Sequence, residues 1–357
     1  MKKNLFLILV VLVLALTLSS CSGRTLTASG WSGLTADEET AYLAAGPQIY
    51  AINLKNGSLK WVYPAEATNG ISFYADPVLT EDGQLIIGGY DGVLYSLDPA
   101  NGSENWVYEK ATSQYVGSPL VTSEGIFAPS ADNNIYAVSL QGEELWEPFS
   151  TEDPVWAQPC TIEGSDYIYV ASMDHKVYAI NSKTGAKVWE TEDLGGPIVS
   201  APAIDNNVLY VSTFANEVLA IDIETHSILW QFQVQDWAWA SPAVDGDLLY
   251  VSDLAGGFYA LNKETGDQLW QIIPGGGIVS APLIVDENIY FGTAEGSFIV
   301  VDADGNIQQN TPLEGKLYSH IVATENVILV APSENENALL IGFDPSGIQK
   351  WSFAPEK

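Results

Sequence analysis

A chain of 357 residues with 47% hydrophobic and 11% aromatic residues can bury a large core, which excludes a disordered protein. Its 45 Asp and Glu against 13 Lys and Arg give a formal charge of −32, and nucleic acid is excluded as a partner because phosphate binding needs clustered cations. With 2 cysteines, Cys21 and Cys160, a multiply cross-linked scaffold is excluded as well.

The first element is a leader. Lys2 and Lys3 precede an apolar run from Leu5 to Leu18, then small residues and Cys21. The run is shorter than the ~20 residues of a comfortable membrane span, so residues 1–20 are read as a signal peptide. Leu18-Ser19-Ser20-Cys21 resembles the lipobox of bacterial lipoproteins. That resemblance implies cleavage before Cys21, a lipid on its thiol, and an exported chain anchored to a membrane of the cell envelope, at the periplasmic face of the outer membrane or the outer face of the cytoplasmic one. Cys160 is then the remaining thiol, and no intramolecular disulfide can form. Residues 21–29 become a lipidated tether reaching roughly 30 Å at most. Losing Lys2 and Lys3 makes the mature chain more acidic still, which favours solubility and leaves a cation or a basic partner open.

From residue 30 to 357 one pattern recurs. "YAINLKNGSLKW" ends at Trp61, "YSLDPANGSENW" at Trp106, "YAVSLQGEELW" at Trp146 and "VYAINSKTGAKVW" at Trp189. It returns at Trp230, Trp270 and Trp351, while a seventh copy carries Gln309 in the Trp place. The period is about 41 residues, that of propeller blades. Each unit reads as four short strands, such as "VSAPAI", "VLYVST", "VLAID" and "ILWQFQ", separated by turns of Gly, Asn and Asp. No stretch after the leader sustains a helical period. The expected fold is therefore all-β, an eight-bladed β-propeller of four-stranded antiparallel blades.

The third turn of each unit pairs an Asn, Asp or Ser with a Gly three or four residues on, as in Asn181 to Gly185 and Asp302 to Gly305. The polar side chain binds backbone N–H groups ahead of it, and Gly supplies the positive φ that closes the turn. His226 stands in one Gly place. The Trp four residues past the Gly site is expected to fill the seam that widens between blades away from the axis. These glycines and the seven repeat tryptophans are read as architecture.

"AINSKTGAKVW" (179–189) and "ALNKETGDQLW" (260–270) resemble the A-x-D-x-x-T-G-x-x-x-W blades of pyrroloquinoline-quinone-type (PQQ-like) repeat proteins, with Asn for Asp. Coupled to the lipobox, the chain is most similar to the propeller lipoproteins of outer-membrane β-barrel assembly. That likeness implies a non-catalytic scaffold for protein–protein interaction in the envelope, acting as a monomer on a protein partner or peptide segment. In those relatives an N-terminal strand completes the last blade. Here the eighth unit has its own Trp351 strand, so closure is expected to use no shared strand.

Aligning the units on their S-A-P segment puts Gly33, Asp76, Ser118, Gln158, Ala201, Ser241, Ala281 and His320 around one channel mouth. Two residues earlier, on the same strand face, stand Trp31, Tyr74, Trp156, Trp239 and Tyr318, with Val at the other three places. These aromatics, with Trp237 and Phe73 nearby and Asp76, Gln158 and His320 below, suggest a groove for a peptide or a sugar.

Two other readings stay open. A quinone-dependent dehydrogenase would need PQQ held by calcium on carboxylates and a catalytic Asp, yet the ring offers only Asp76 as a carboxylate and there are no adjacent cysteines. A glycan- or peptide-capturing surface protein is the other. His175, His226 and His320 fall in different blades without metal-ligand spacing, and "DADGN" (302–306) lacks the Gly and Glu spacing of a calcium loop. No catalytic residue, metal ligand or resident cofactor is assigned.

Overall fold

The computed structural model describes residues 30–335 and 337–355, so the leader, the tether and Cys21 lie outside the described residues. These form 32 strands in eight four-stranded antiparallel sheets, the strand order in each sheet following the chain, with no helix among the described residues. The molecule is the eight-bladed propeller that the repeat implies. In the fifth blade Ala203–Asp205, Val208–Thr213, Glu217–Asp222 and Ile228–Gln233 run from the axis outward. The two middle strands are nearly all buried, because a blade packs against a neighbour on both faces, whereas the outer strand is largely exposed. The core is accordingly a ring of inter-blade clusters, such as Tyr169, Val177 and Ala179 against Leu209, Val211 and Ile221.

The innermost strands are shorter than the repeat suggests. Pro77, Pro119, Pro159, Pro202, Pro242 and Pro282 occupy one place in six blades, and there the ladder covers only residues after the proline, as at Cys160–Thr161 and Ala243–Asp245. Proline has no N–H to offer the ladder. The residues before it run along the channel wall, and no backbone donor is left pointing into the channel at the proline. The first blade has Leu34 instead, in the longer strand Gly33–Ala36.

The loop entering each blade and that blade's middle turn share a face and are bonded to each other. Met173 N donates to Pro154 O (3.0 Å), Phe214 N to Pro197 O (3.0 Å), Leu254 N to Trp237 O (3.1 Å) and Ala294 N to Gly277 O (2.8 Å). Middle-turn carboxylates strengthen this junction. Asp174 accepts from Tyr178 Oη (2.7 Å) and from Glu152 N in the incoming loop (3.0 Å), and Asp253 does the same with Tyr259 and Gln235. The carboxylates are therefore structural.

Turn glycine and seam tryptophan meet across the blade boundary. Six of the seven rings donate to the backbone of the next blade's turn, among them Trp61 Nε1 to Pro99 O (2.9 Å), Trp146 Nε1 to Ser182 O (2.9 Å) and Trp230 Nε1 to Lys263 O (3.0 Å). A Cβ on Gly102, Gly185 or Gly266 would stand 2.6 to 2.7 Å from that ring. Glycine is required there both for its φ near +70° and for the space. Where His226 replaces it, at φ 59°, the imidazole stacks on Trp189 with centroids 4.7 Å apart. Opposite the Trp across the ladder stands a small residue, Ala51, Ser96, Ala137, Ala179, Ala220, Ala260 or Gly342, and a bulge follows in every blade.

Among the described residues closure uses no exchanged strand: the last sheet is built from Val322–Ala323, Ile328–Val330, Leu340–Phe343 and Gln349–Phe353. Trp351 Nε1 donates to Leu54 O (2.7 Å), and Leu329, Leu340 and Phe353 pack against Leu43, Tyr50 and Ile52 of the first blade.

Candidate functional site

Inner segments and middle turns converge on a cavity of about 710 Å³ at the axis. Trp31, Trp156, Trp239 and Tyr318 line it with Asp76, Gln158, Ser118, Ser241 and His320, and Val116, Val199, Val279 and Leu254 supply apolar wall. Seven of the eight candidate binding residues thus come together. The eighth, Tyr74, is a correction: it is buried, packs on Tyr90 (4.8 Å between centroids) and does not line the cavity. Phe73 is likewise absent from the mouth, being wholly buried between the first two blades among Tyr42, Ile87 and Tyr95. Phe73 is taken up by the packing between the first two blades and Tyr74 by its contact with Tyr90.

The polar floor is one linked unit spanning four blades. His320 Nδ1 lies 2.9 Å from Asp76 Oδ2 across the small Gly33, and Leu34 N donates to Asp76 Oδ1 (2.9 Å). Ser118 Oγ donates to Asp76 Oδ2 (3.2 Å) and accepts from Asp76 N (2.9 Å). Leu34 supplies the N–H that proline withholds in six other blades. Burial in the channel pushes the Asp76 carboxyl up, but the His320 charge and hydrogen bonds from His320, Leu34 and Ser118 outweigh it and hold the group below its ordinary value. Desolvation pushes His320 down, and the Asp76 charge and hydrogen bond carry it above its ordinary value. His320 keeps 48% of its side chain accessible, on the side that faces the channel. Gln158 is tied down through Nε2 to Pro119 O (3.0 Å).

Above this floor runs an aromatic ladder. Trp237, 45% exposed, lies flat on Phe214 (4.7 Å, 9°), Phe214 meets Trp239 (5.0 Å), and Trp239 takes the edge of Trp31 from the first blade (6.3 Å, 81°). Phe214 escapes the alignment of inner segments because it sits in a middle turn. Aligning the middle turns instead carries the signal, since Tyr90, Ala131, Met173, Phe214 and Leu254 occupy one place there.

Chemistry elsewhere is absorbed by structure. Cys160 packs against the core between the fourth and fifth blades, and burial pushes its thiol up to about 12, leaving it unreactive. His175 pairs with Asp193 (3.0 Å). Asp302 in "DADGN" accepts from Asp304 N, Asn306 N and Gln308 Nε2, so the turn satisfies its own carboxylate. Asp76 is the single carboxylate lining the cavity and its oxygens are engaged; among the described residues no group of three His, Cys, Asp or Glu converges to hold a metal. This donor set does not fit a calcium-held quinone.

Comparison with known proteins agrees with this geometry. A family model described as "Outer membrane protein assembly factor BamB" matches residues 15–157, 131–236 and 234–357. Proteins of that name from Taylorella asinigenitalis and Moranella endobia are 27% and 25% identical over 42% and 59% of this chain, and 41% and 56% of their own. The chain thus spans about half the length of these relatives. A quinohemoprotein alcohol dehydrogenase from Comamonas testosteroni is 23% identical over 57% of this chain but only 25% of its own. Among solved structures, BamB from Moraxella catarrhalis superposes with a TM-score of 0.71 at 18% identity, covering 86% of this chain and 94% of that one. With its matches running through nearly the whole propeller, the chain belongs to the family of the outer membrane protein assembly factor BamB.

Proposed function

We propose that this protein is an exported, lipid-anchored, non-catalytic scaffold that holds a protein partner during assembly of cell-envelope proteins. Family membership and the name of its relatives support the envelope role. The lipobox supports anchoring through Cys21, and the aromatic channel mouth supports recognition of a polypeptide by a monomeric propeller. The observation that carries the reading is the cavity: four aromatic side chains and apolar walls over one ion pair, with the Ser118 hydroxyl bonded to the Asp76 carboxylate rather than to a His320 base. Such a site binds rather than transforms.

A quinoprotein is the second reading, favoured by the Comamonas match. Against it stands the engaged Asp76, which leaves the cavity no free carboxylate for calcium.

The scaffold reading is tested by placing a photo-reactive residue at Ser241 in the mouth or at Asn306 in a third turn, in the full-length lipoprotein in its native envelope. A discrete protein adduct from Ser241, absent from Asn306 and lost when Trp156, Trp239 and Tyr318 are changed to Ala, is expected. Equal labelling at both places would overturn it.

A further inference from the structure

We infer that the channel mouth is a receptor for an aromatic side chain carried on an extended polypeptide, and that the chain's own Trp31 is its resident occupant, to be displaced by the partner. This rests on the reading of the mouth as the partner site and names what that site recognises.

The start of the first blade is built to deliver this ring. Gly30 lies flush on the Tyr74 ring and Gly33 on the Ala75 carbonyl, so close that a Cβ at either position would overlap its neighbour. Leu34 N is fastened to Asp76 (2.9 Å), and Ser32 between the glycines is buried. Residues 30 to 33 are thereby clamped over the second blade while the Trp31 indole reaches across to Trp239 in the sixth. No repeat position demands this, since Val116, Val199 and Val279 hold the equivalent place in other blades. An indole in a seam between blades is structural; one laid across an open channel on a neighbour three blades away occupies a binding site.

The surroundings suit a peptide better than a sugar. Trp31 meets Trp239 edge to face, the arrangement of aromatic side chains with each other. One face of Trp237 is covered by Phe214 and neither residue lines the cavity, so this stacked pair offers the cavity no flat platform. Apolar walls of Val116, Val199, Val279 and Leu254 surround the rings, the setting of an aromatic side chain rather than of a hydroxyl-rich sugar.

The test uses the acetylated and amidated peptide Ser-Gly-Trp-Ser-Gly, the sequence of residues 29–33, titrated calorimetrically into purified wild-type protein and into Trp31→Ala. The vacated site is expected to bind the peptide at least tenfold tighter than wild type, and Trp31→Ala/Trp239→Ala is expected to lose that binding. The peptide with Ala for Trp should not bind. As a readout that leaves the fold untouched, 5-fluorotryptophan in the wild-type chain should show the Trp31 resonance moving toward its solvent value at excess peptide. Equal binding by wild type and Trp31→Ala, no binding by either, binding that survives loss of Trp239, or binding of an N-acetylglucosamine trimer in place of the peptide would each overturn the inference. Should the peptide fail while the Ser241 adduct persists, this inference falls and the scaffold stands; the converse result removes the scaffold reading and leaves the aromatic receptor.

Discussion

At Gln309 the repeat loses its tryptophan, and the residue opposite becomes Val300 where the other blades carry Ala, Ser or Gly. The pair behaves as a unit because ring and partner share one cross-strand space. Gln309→Trp alone is expected to destabilise by about 1 kcal/mol or more through overpacking, and Val300→Ala added to it to restore stability; chemical unfolding of the two variants reads this, and additive effects would contradict it. In the channel, the Asp76–His320 pair has a definite pH signature. Asp76 is held below 3.8 and His320 above 6.5. Its stabilisation is therefore fully present between these ordinary values, fades as pH falls through the lowered carboxyl pKa, and fades as pH rises through the raised imidazole pKa. Thermal melts should place the largest loss for His320→Gln near pH 5 to 6, shrinking toward pH 9. A loss independent of pH would mean that the pair is only space filling.

The third turn is the element that repeats most faithfully, and its glycine serves two demands separable by mutation. Gly246, in a first turn at φ 54°, has nothing within 4 Å of where a Cβ would stand, whereas at Gly266, φ 75°, the Trp230 ring lies 2.7 Å away. Gly246→Ala is expected to cost about 1 kcal/mol from backbone strain. Gly266→Ala should cost about 1 to 3 kcal/mol more through overpacking of the blade seam. Equal costs in urea unfolding would show that the seam contact carries no weight. The innermost strand has its own logic: proline precedes its short ladder and removes one backbone donor from the channel wall in six blades.

At the scale of the whole molecule, the described residues close the ring through side chains rather than through an exchanged strand. Trp351, 8% exposed and bonded to Leu54 O, joins the last blade to the first. Trp351→Ala is expected to cost about 3 to 5 kcal/mol and to raise proteolysis at both ends of the chain first; unchanged proteolysis would place the weak seam elsewhere. Adding pyrroloquinoline quinone with calcium should leave the melting temperature where it was, and clear stabilisation would revive the quinoprotein reading.

Much of this was legible in the sequence because a propeller is nearly one-dimensional: away from the axis each unit packs against its neighbours, so eight copies of one pattern determine eight blades, their turns and their seams. The same regularity places Trp31, Asp76, Trp156, Gln158, Trp239, Tyr318 and His320 around one mouth from the aligned repeats alone. What it could not carry was the outcome where copies differ. Whether Tyr74 faces the channel or the blade depends on local twist and on Tyr90 beside it. Phe214 enters the ladder from a turn in another part of the repeat. Asp76 and His320, 244 residues apart, pair only because the ring closes and Gly33 between them is small. The blade pattern is local and was written in the chain; the content of the channel is set by residues from different blades meeting at the axis, and only the closed tertiary structure brings them within reach.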